Sequence, residues 1–429
     1  MAAGRSETPK PVAAATQPTL ARRLSLVDAV IIGLGSMIGA GVFSVFGPAA
    51  QAAGAALLIG LGIAAVVAYC NATSSAQLAA TYPTSGGTYI YGRERLGAWW
   101  GYIAGWGFVA GKIASCAAMA LTVVAYVIPT TWQRPVAVCT VAVMTAVTCL
   151  GVTRTARVTA ILVCIVLAIL GIAVVAAWAG GEPHGTRWDP TTAGHGWYGV
   201  VQSAGLIFFA YAGYARIATL GEEVREPRRT IPRAILIALL IAVVVYAAVA
   251  LTTLATLGPQ RLAASSAPVA DAVAAGSWNW AVPLVRVGAV AASLGALLAL
   301  IAGIGRTTLA MARHADLPRW LAAVDPKRQI PRRAQLAVGL LVCVLVAFTD
   351  LRGAIAFSSF GVLIYYLIAN LAAFTQPGDD RRYPRPVQIL GVIGCAGLVA
   401  TLPITGIVAG LAIFAVGVVL RLVRLRTRA

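Results

Sequence analysis

Long apolar runs alternate with short polar ones along almost the whole chain. Twelve runs, at roughly 25–47, 53–79, 98–128, 135–152, 157–179, 197–220, 233–257, 281–306, 334–349, 353–375, 386–402 and 404–420, approach the length a bilayer crossing requires, about 20 residues for a helix. Two runs are interrupted from within. In the first, GLGSMIGAGVF places glycines at 33, 35, 39 and 41, each costing a helix interior roughly 1 kcal/mol relative to alanine. Such glycines suit close helix packing as well as a break. In the sixth, Phe209-Ala210-Tyr211-Ala212-Gly213-Tyr214 sets a small, flexible run between aromatics and leads into the polar, proline-bounded GEEVREPRRTIPRA at 221–234. The two interruptions occupy corresponding places in two five-helix halves of opposite topology. That correspondence favours breaks, because non-helical backbone at membrane depth is tolerated only where it is buried in protein or lines a cavity. A further polar segment, YPTSGGTYIYGRERLG at 82–97, reads as a short element at the membrane face.

The pattern predicts an all-α integral membrane protein of about twelve transmembrane helices. It is arranged as a 5+5 inverted repeat with helices 1 and 6 broken, plus two C-terminal helices. Residues 1–20 read as a disordered cytoplasmic tail and 21–375 as the core, with halves about 24–179 and 197–375; 376–429 supply the last two helices and a basic tail. Composition agrees, with 59% hydrophobic and 11% charged residues and a mean hydropathy of +0.84.

A net charge of +19 would suit nucleic acid, but its placement argues otherwise. With the N-terminus inside, 25 of the 33 Lys and Arg fall on cytoplasmic segments and four on external loops. This positive-inside asymmetry puts both termini in the cytoplasm. It leaves no role for nucleic acid, and sets the tail from Arg421 to Arg428 against anionic headgroups. The seven cysteines show no paired motif and read as small buried residues. No cofactor and no metal site is expected. Glu182, His184, Asp189 and His195 lie on an external loop without ligand spacing or a nucleophile–base pair, so an enzymatic reading has little to rest on.

Charges inside spans demand a reason, since each costs about 2.5–3.5 kcal/mol at the bilayer centre. Lys112 sits mid-way along the third span, beside a stripe of Gly107, Gly111, Ser115 and Ala118 suited to close helix contact. It is either a coupling group for protons or a fixed cation bonded to carbonyls of a broken helix. Arg216 lies seven residues before Glu223, on the same face if the helix continues. The favoured reading is an inner-gate network of Arg216 with Glu222, Glu223 and Asp28; the alternative is a contact to a substrate carboxylate.

Five ordered motifs then carry a resemblance: GSMIGAGVF (35–43), YPTSGGTYIY (82–91), GYIAGW (101–106), FFAYAGYARIATLGEEVREPRRTIPRA (208–234) and GRTTLAMARHADLP (305–318). With these the chain resembles the amino acid–polyamine–organocation superfamily, and its amino acid permeases in particular. The resemblance implies a secondary transporter in which spans 1, 2, 6 and 7 rock against 3, 4, 8 and 9. It also implies a substrate site of Met37, Ile38, Gly39, Ala40, Gly41, Phe209, Ala210, Ala212 and Gly213. There the amides near Ala40 and Gly41 would take a carboxylate, and the carbonyls of Met37, Phe209 and Ala212 an ammonium. Phe209 would close over the ligand. Two departures stand out: Ala215 and Arg216 replace an acidic residue common after the second break, and span five has no lysine. With no carboxylate to place in the cavity, neutral amino acids are the expected substrates, with protons or exchange as the driving force. Amines or polyamines, or a transport-dead sensor, are the alternatives. Oligomeric state has no signature in these residues.

Overall fold

The computed structural model describes residues 24–83, 86–151, 156–179, 196–220 and 223–426. Among them the chain is helical, with one isolated bridge pairing Leu24 to Val224 as its sole β-type contact. The first half comprises α1 (Leu26–Met37), α2 (Ala40–Ser44), α3 (Phe46–Ala53), α4 (Leu57–Thr81), α5 (Thr88–Leu96), α6 (Ala98–Val127), α7 (Gln133–Cys149) and α8 (Ala156–Trp178). The second comprises α9 (Gly196–Tyr211), α10 (Ala215–Ala218), α11 (Pro227–Ala264), α12 (Pro268–Ala274), α13 (Ala281–Arg313), α14 (Arg332–Phe348) and α15 (Leu351–Phe374). α16 (Arg385–Thr401) and α17 (Ile404–Arg426) follow.

Every predicted span coincides with a helix or a broken helix pair. Nine segments of the described residues are long and apolar enough to cross a membrane. α7, α14 and α16 match three further expected spans at 17 residues each, short of that measure. Within the segment at 82–97, Thr88–Leu96 forms the short helix α5, too short to span.

α6 is the central pillar, packed against α15, α13 and α5. The small stripe makes its contact with α15: a Cβ at Gly361 would stand 2.6 Å from the Gly107 carbonyl oxygen, and one at Gly111 3.0 Å from that of Ser358. The hydroxyls of Ser115 and Ser358 meet at 2.6 Å in the same seam. Small residues at this crossing let the backbones touch, as packing between helices in lipid requires.

The C-terminal helices are fastened more tightly than bulk apolar sequence suggests. Arg421, expected at the headgroups, turns inward instead. Its guanidinium pairs with Asp316 at 2.7 Å, donates to the Ala98 carbonyl at 3.1 Å, and lies over the rings of Trp99 and Tyr102 at 4.7 and 4.5 Å. Asp316 also takes Arg93 at 2.8 Å and the Tyr89 hydroxyl at 2.8 Å. Burial, with Asp316 beside it, pushes the Tyr89 phenol well above its usual pKa, so it stays a donor. Desolvated stacking surfaces and a second carboxylate oxygen reward burial of the arginine more than lipid headgroups would. Arg428 lies outside the described residues.

Candidate functional site

The first break is a true interruption. α1 opens with a capping box, Ser25 and Asp28 bonding each other's backbone amides, and ends at Met37. Ile38 takes φ −82° and ψ 66°, letting the Gly39 amide bond back to the Met37 carbonyl at 2.9 Å. This is an inverse γ-turn, and α2 starts on its far side. The second break is milder than expected: α9 tightens into a 3₁₀ turn at Ala212–Tyr214 and resumes as α10. Gly213 is the sole glycine there, and the shorter-range bonds of a 3₁₀ turn keep most of the backbone satisfied.

The two breaks touch. A Cβ at Gly213 would stand 2.3 Å from the Ser36 carbonyl oxygen and 2.6 Å from the Met37 nitrogen; one at Gly41 would stand 2.8 Å from the Ala210 Cα. Freed carbonyls are met by side chains from neighbouring helices. The Tyr246 hydroxyl of α11 donates to the Met37 carbonyl at 2.7 Å and lies 3.0 Å from that of Ala210, bridging both breaks. The Ala212 carbonyl accepts from Lys112 Nζ at 3.1 Å and the Tyr366 hydroxyl at 3.2 Å. Tyr246→Phe removes the bridge from a fully buried position, and is expected to destabilise the fold by about 1–3 kcal/mol. A lowered thermal unfolding midpoint in detergent would register it; an unchanged midpoint would refute the bridging role.

A cavity of about 840 Å³ begins at these breaks and reaches the exposed Arg313, His314 and Gln329. Of the nine expected substrate residues, Ala212 and Gly213 line it. Met37, Ile38, Ala40, Phe209 and Ala210 are buried beside it, and Gly39 packs against Ala296 of α13. Lys112 and Arg216 both line the cavity. The opposite end is shut: the buried Phe43 and Tyr126 meet edge to face at 5.8 Å, and the Tyr126 hydroxyl donates to the Phe43 carbonyl.

The expected gate network is only partly assembled. α10 ends at Ala218, where the chain turns, so Arg216 and Glu223 do not share a helix face. Glu223 is held instead by backbone pairing of its neighbourhood with Leu24, and faces Arg306 at 4.0 Å. Arg216 donates to the Thr219 hydroxyl at 3.4 Å. The Asp28 carboxylate is taken up by the cap of α1. Glu222 lies outside the described residues, as do His184, Asp189 and His195. Sequence reasoning did not single out Ser36, Tyr246 and Arg306; of these, only the arginine inside a span carried a signal that pattern alone could raise.

The model of the family described as amino acid permease matches residues 24–423. An uncharacterized transporter of Mycobacterium tuberculosis is 57% identical over 399 residues, covering 93% of this chain and 90% of the relative. The branched-chain amino acid permease BcaP of Bacillus subtilis is 26% identical, covering 89% of this chain and 86% of the permease. The chloroplastic cationic amino acid transporter 7 of Arabidopsis thaliana is 28% identical, with 85% and 67% covered.

Proposed function

The chain belongs to the amino acid permease family, and on that premise we propose that this multi-pass membrane protein is a secondary active transporter that carries amino acids by alternating access. The observation that carries the reading is the meeting of the two helix breaks at the blind end of a cavity open on one side. Under it, the zwitterion binds against the joined breaks at the cavity end lined by Ser36, Ala212 and Gly213, its carboxylate toward the amides near Ala40 and Gly41 and its ammonium toward the carbonyls of Met37 and Ala212. Phe209 covers it. The positive-inside distribution supports a reading in which the open side faces the cytoplasm, an inward-facing state with Glu223 and Arg306 at the mouth, and a bacterial plasma membrane is the membrane we propose. The cavity wall carries Lys112, Arg216, Arg306 and Arg313 against the single carboxylate Glu223 among the described residues, which disfavours a cationic side chain.

Lys112 is the coupling group in this reading. It holds a carbonyl of the second break by a charge-assisted bond that weakens when the lysine loses its proton, so proton movement and substrate access share one hydrogen bond. In proteoliposomes, Lys112→Met is expected to bring accumulation down to the level measured without a proton gradient. Undiminished, pH-dependent uptake would leave the lysine a tether only. The broader reading is tested by thermal shifts of the purified protein against the twenty amino acids and common amines, since a ligand of the folded state raises its midpoint, followed by uptake of the strongest stabiliser. Stabilisation by amines alone, or binding without uptake, would overturn it.

A further inference from the structure

Arg216 shares the cavity wall with Arg306 and with Glu223, whose charge acts on both arginines, so one carboxylate serves two guanidinium groups there. Arg306 and Arg313 stand toward the cavity mouth, where positive-inside placement alone would put them, and Arg306 faces Glu223 at 4.0 Å. Lys112 has its carbonyl. Arg216 lies in the sixth span, four residues past Ala212, one helical turn or about 6 Å nearer the mouth. Its guanidinium lines the cavity and bonds only a threonine hydroxyl, at 3.4 Å; among the described residues no carboxylate lies within 4.0 Å of it. Arg216 stands at the inner end of the sixth span, two residues before α10 ends at Ala218, and its planar fork, turned to the cavity, matches a carboxylate bidentately. The cavity's excess of positive charge, between low-dielectric walls, draws anions inward.

Taking the carrier reading above as its basis, we propose that the preferred substrate is a dicarboxylic amino acid and that Arg216 receives its side-chain carboxylate. The zwitterion occupies the breaks, and the acidic side chain extends one turn toward the mouth to the guanidinium. This replaces the sequence-based expectation of neutral substrates with an anionic one. It also sets the chain apart from relatives whose names specify cationic amino acids.

The test is competition for uptake, in proteoliposomes, among L-glutamate, L-aspartate, L-glutamine, L-leucine and L-arginine, for the unmodified protein, Arg216→Gln and Arg216→Lys. The unmodified protein is expected to favour glutamate over glutamine by about tenfold or more, the size of a lost charge-assisted pair. Arg216→Gln should collapse that ratio toward unity, and Arg216→Lys should restore part of it. The proposal fails if glutamine, leucine or arginine competes as well as glutamate in the unmodified protein, or if the ratio survives in Arg216→Gln. In those cases saturable uptake of another amino acid leaves the carrier reading standing; uptake of none overturns both. Should Arg216→Gln fail to fold, the selectivity of the unmodified protein and the lysine variant still decide the matter.

Discussion

Gly213→Ala is expected to abolish most uptake and to destabilise the protein by about 1–3 kcal/mol, the range for overpacking a filled interior. The added methyl would stand 2.3 Å from a backbone oxygen of Ser36, 2.4 Å from its carbonyl carbon and 2.6 Å from the Met37 nitrogen. None of these is the free end of a side chain that can swing aside. The strain can be relieved only by pushing α1 away from the second break, which spreads the amides and carbonyls proposed to cradle one ligand. Gly62→Ala is the matched control: nothing lies within 4 Å of its would-be Cβ, and alanine is favoured over glycine in a helix by roughly 1 kcal/mol. Uptake by the two variants, normalised to the amount reconstituted, checks the claim. Equal activity would mean that the breaks do not need their present separation.

The second large effect is expected at Asp316. Its carboxylate pairs with both Arg93 and Arg421, with Asp316 and Arg421 only 8% exposed. Asp316→Ala leaves Arg421 charged, buried and unpaired, which should cost about 3–5 kcal/mol. The double change Asp316→Leu with Arg421→Leu removes the charge together with its partner and should be less damaging than Asp316→Ala alone. Thermal unfolding followed by tryptophan fluorescence would rank the variants; the reverse order would show that the ion pair does not hold α17.

What was legible in the sequence follows from which forces are local. Spans at 98–128 and 281–306 reappear as α6 and α13 because apolarity and length are properties of the run itself. The break at Ile38 and Gly39 was legible because four glycines weaken one helix. The form of the second was not, since a 3₁₀ turn needs no special residue and leaves no composition to read. Tyr246 in an apolar run resembles any buried aromatic until its hydroxyl is seen against Met37 and Ala210. Arg421 resembled a headgroup anchor because its partner is 105 positions away. The expected shared face of Arg216 and Glu223 does not form, because that argument extended one helix through Thr219, where the chain turns.

The carbonyl acceptors at the breaks already have resident donors: the Tyr246 phenol on Met37, and Lys112 with the Tyr366 phenol on Ala212. Under the proposed carrier reading, an arriving ammonium trades places rather than filling idle sites, and its affinity is a difference between two sets of similar bonds. Modest affinity is the natural result, and it suits a carrier that must let go on the far side. Removing a resident donor should then tighten substrate retention and slow turnover, so a variant that binds better would be the poorer transporter.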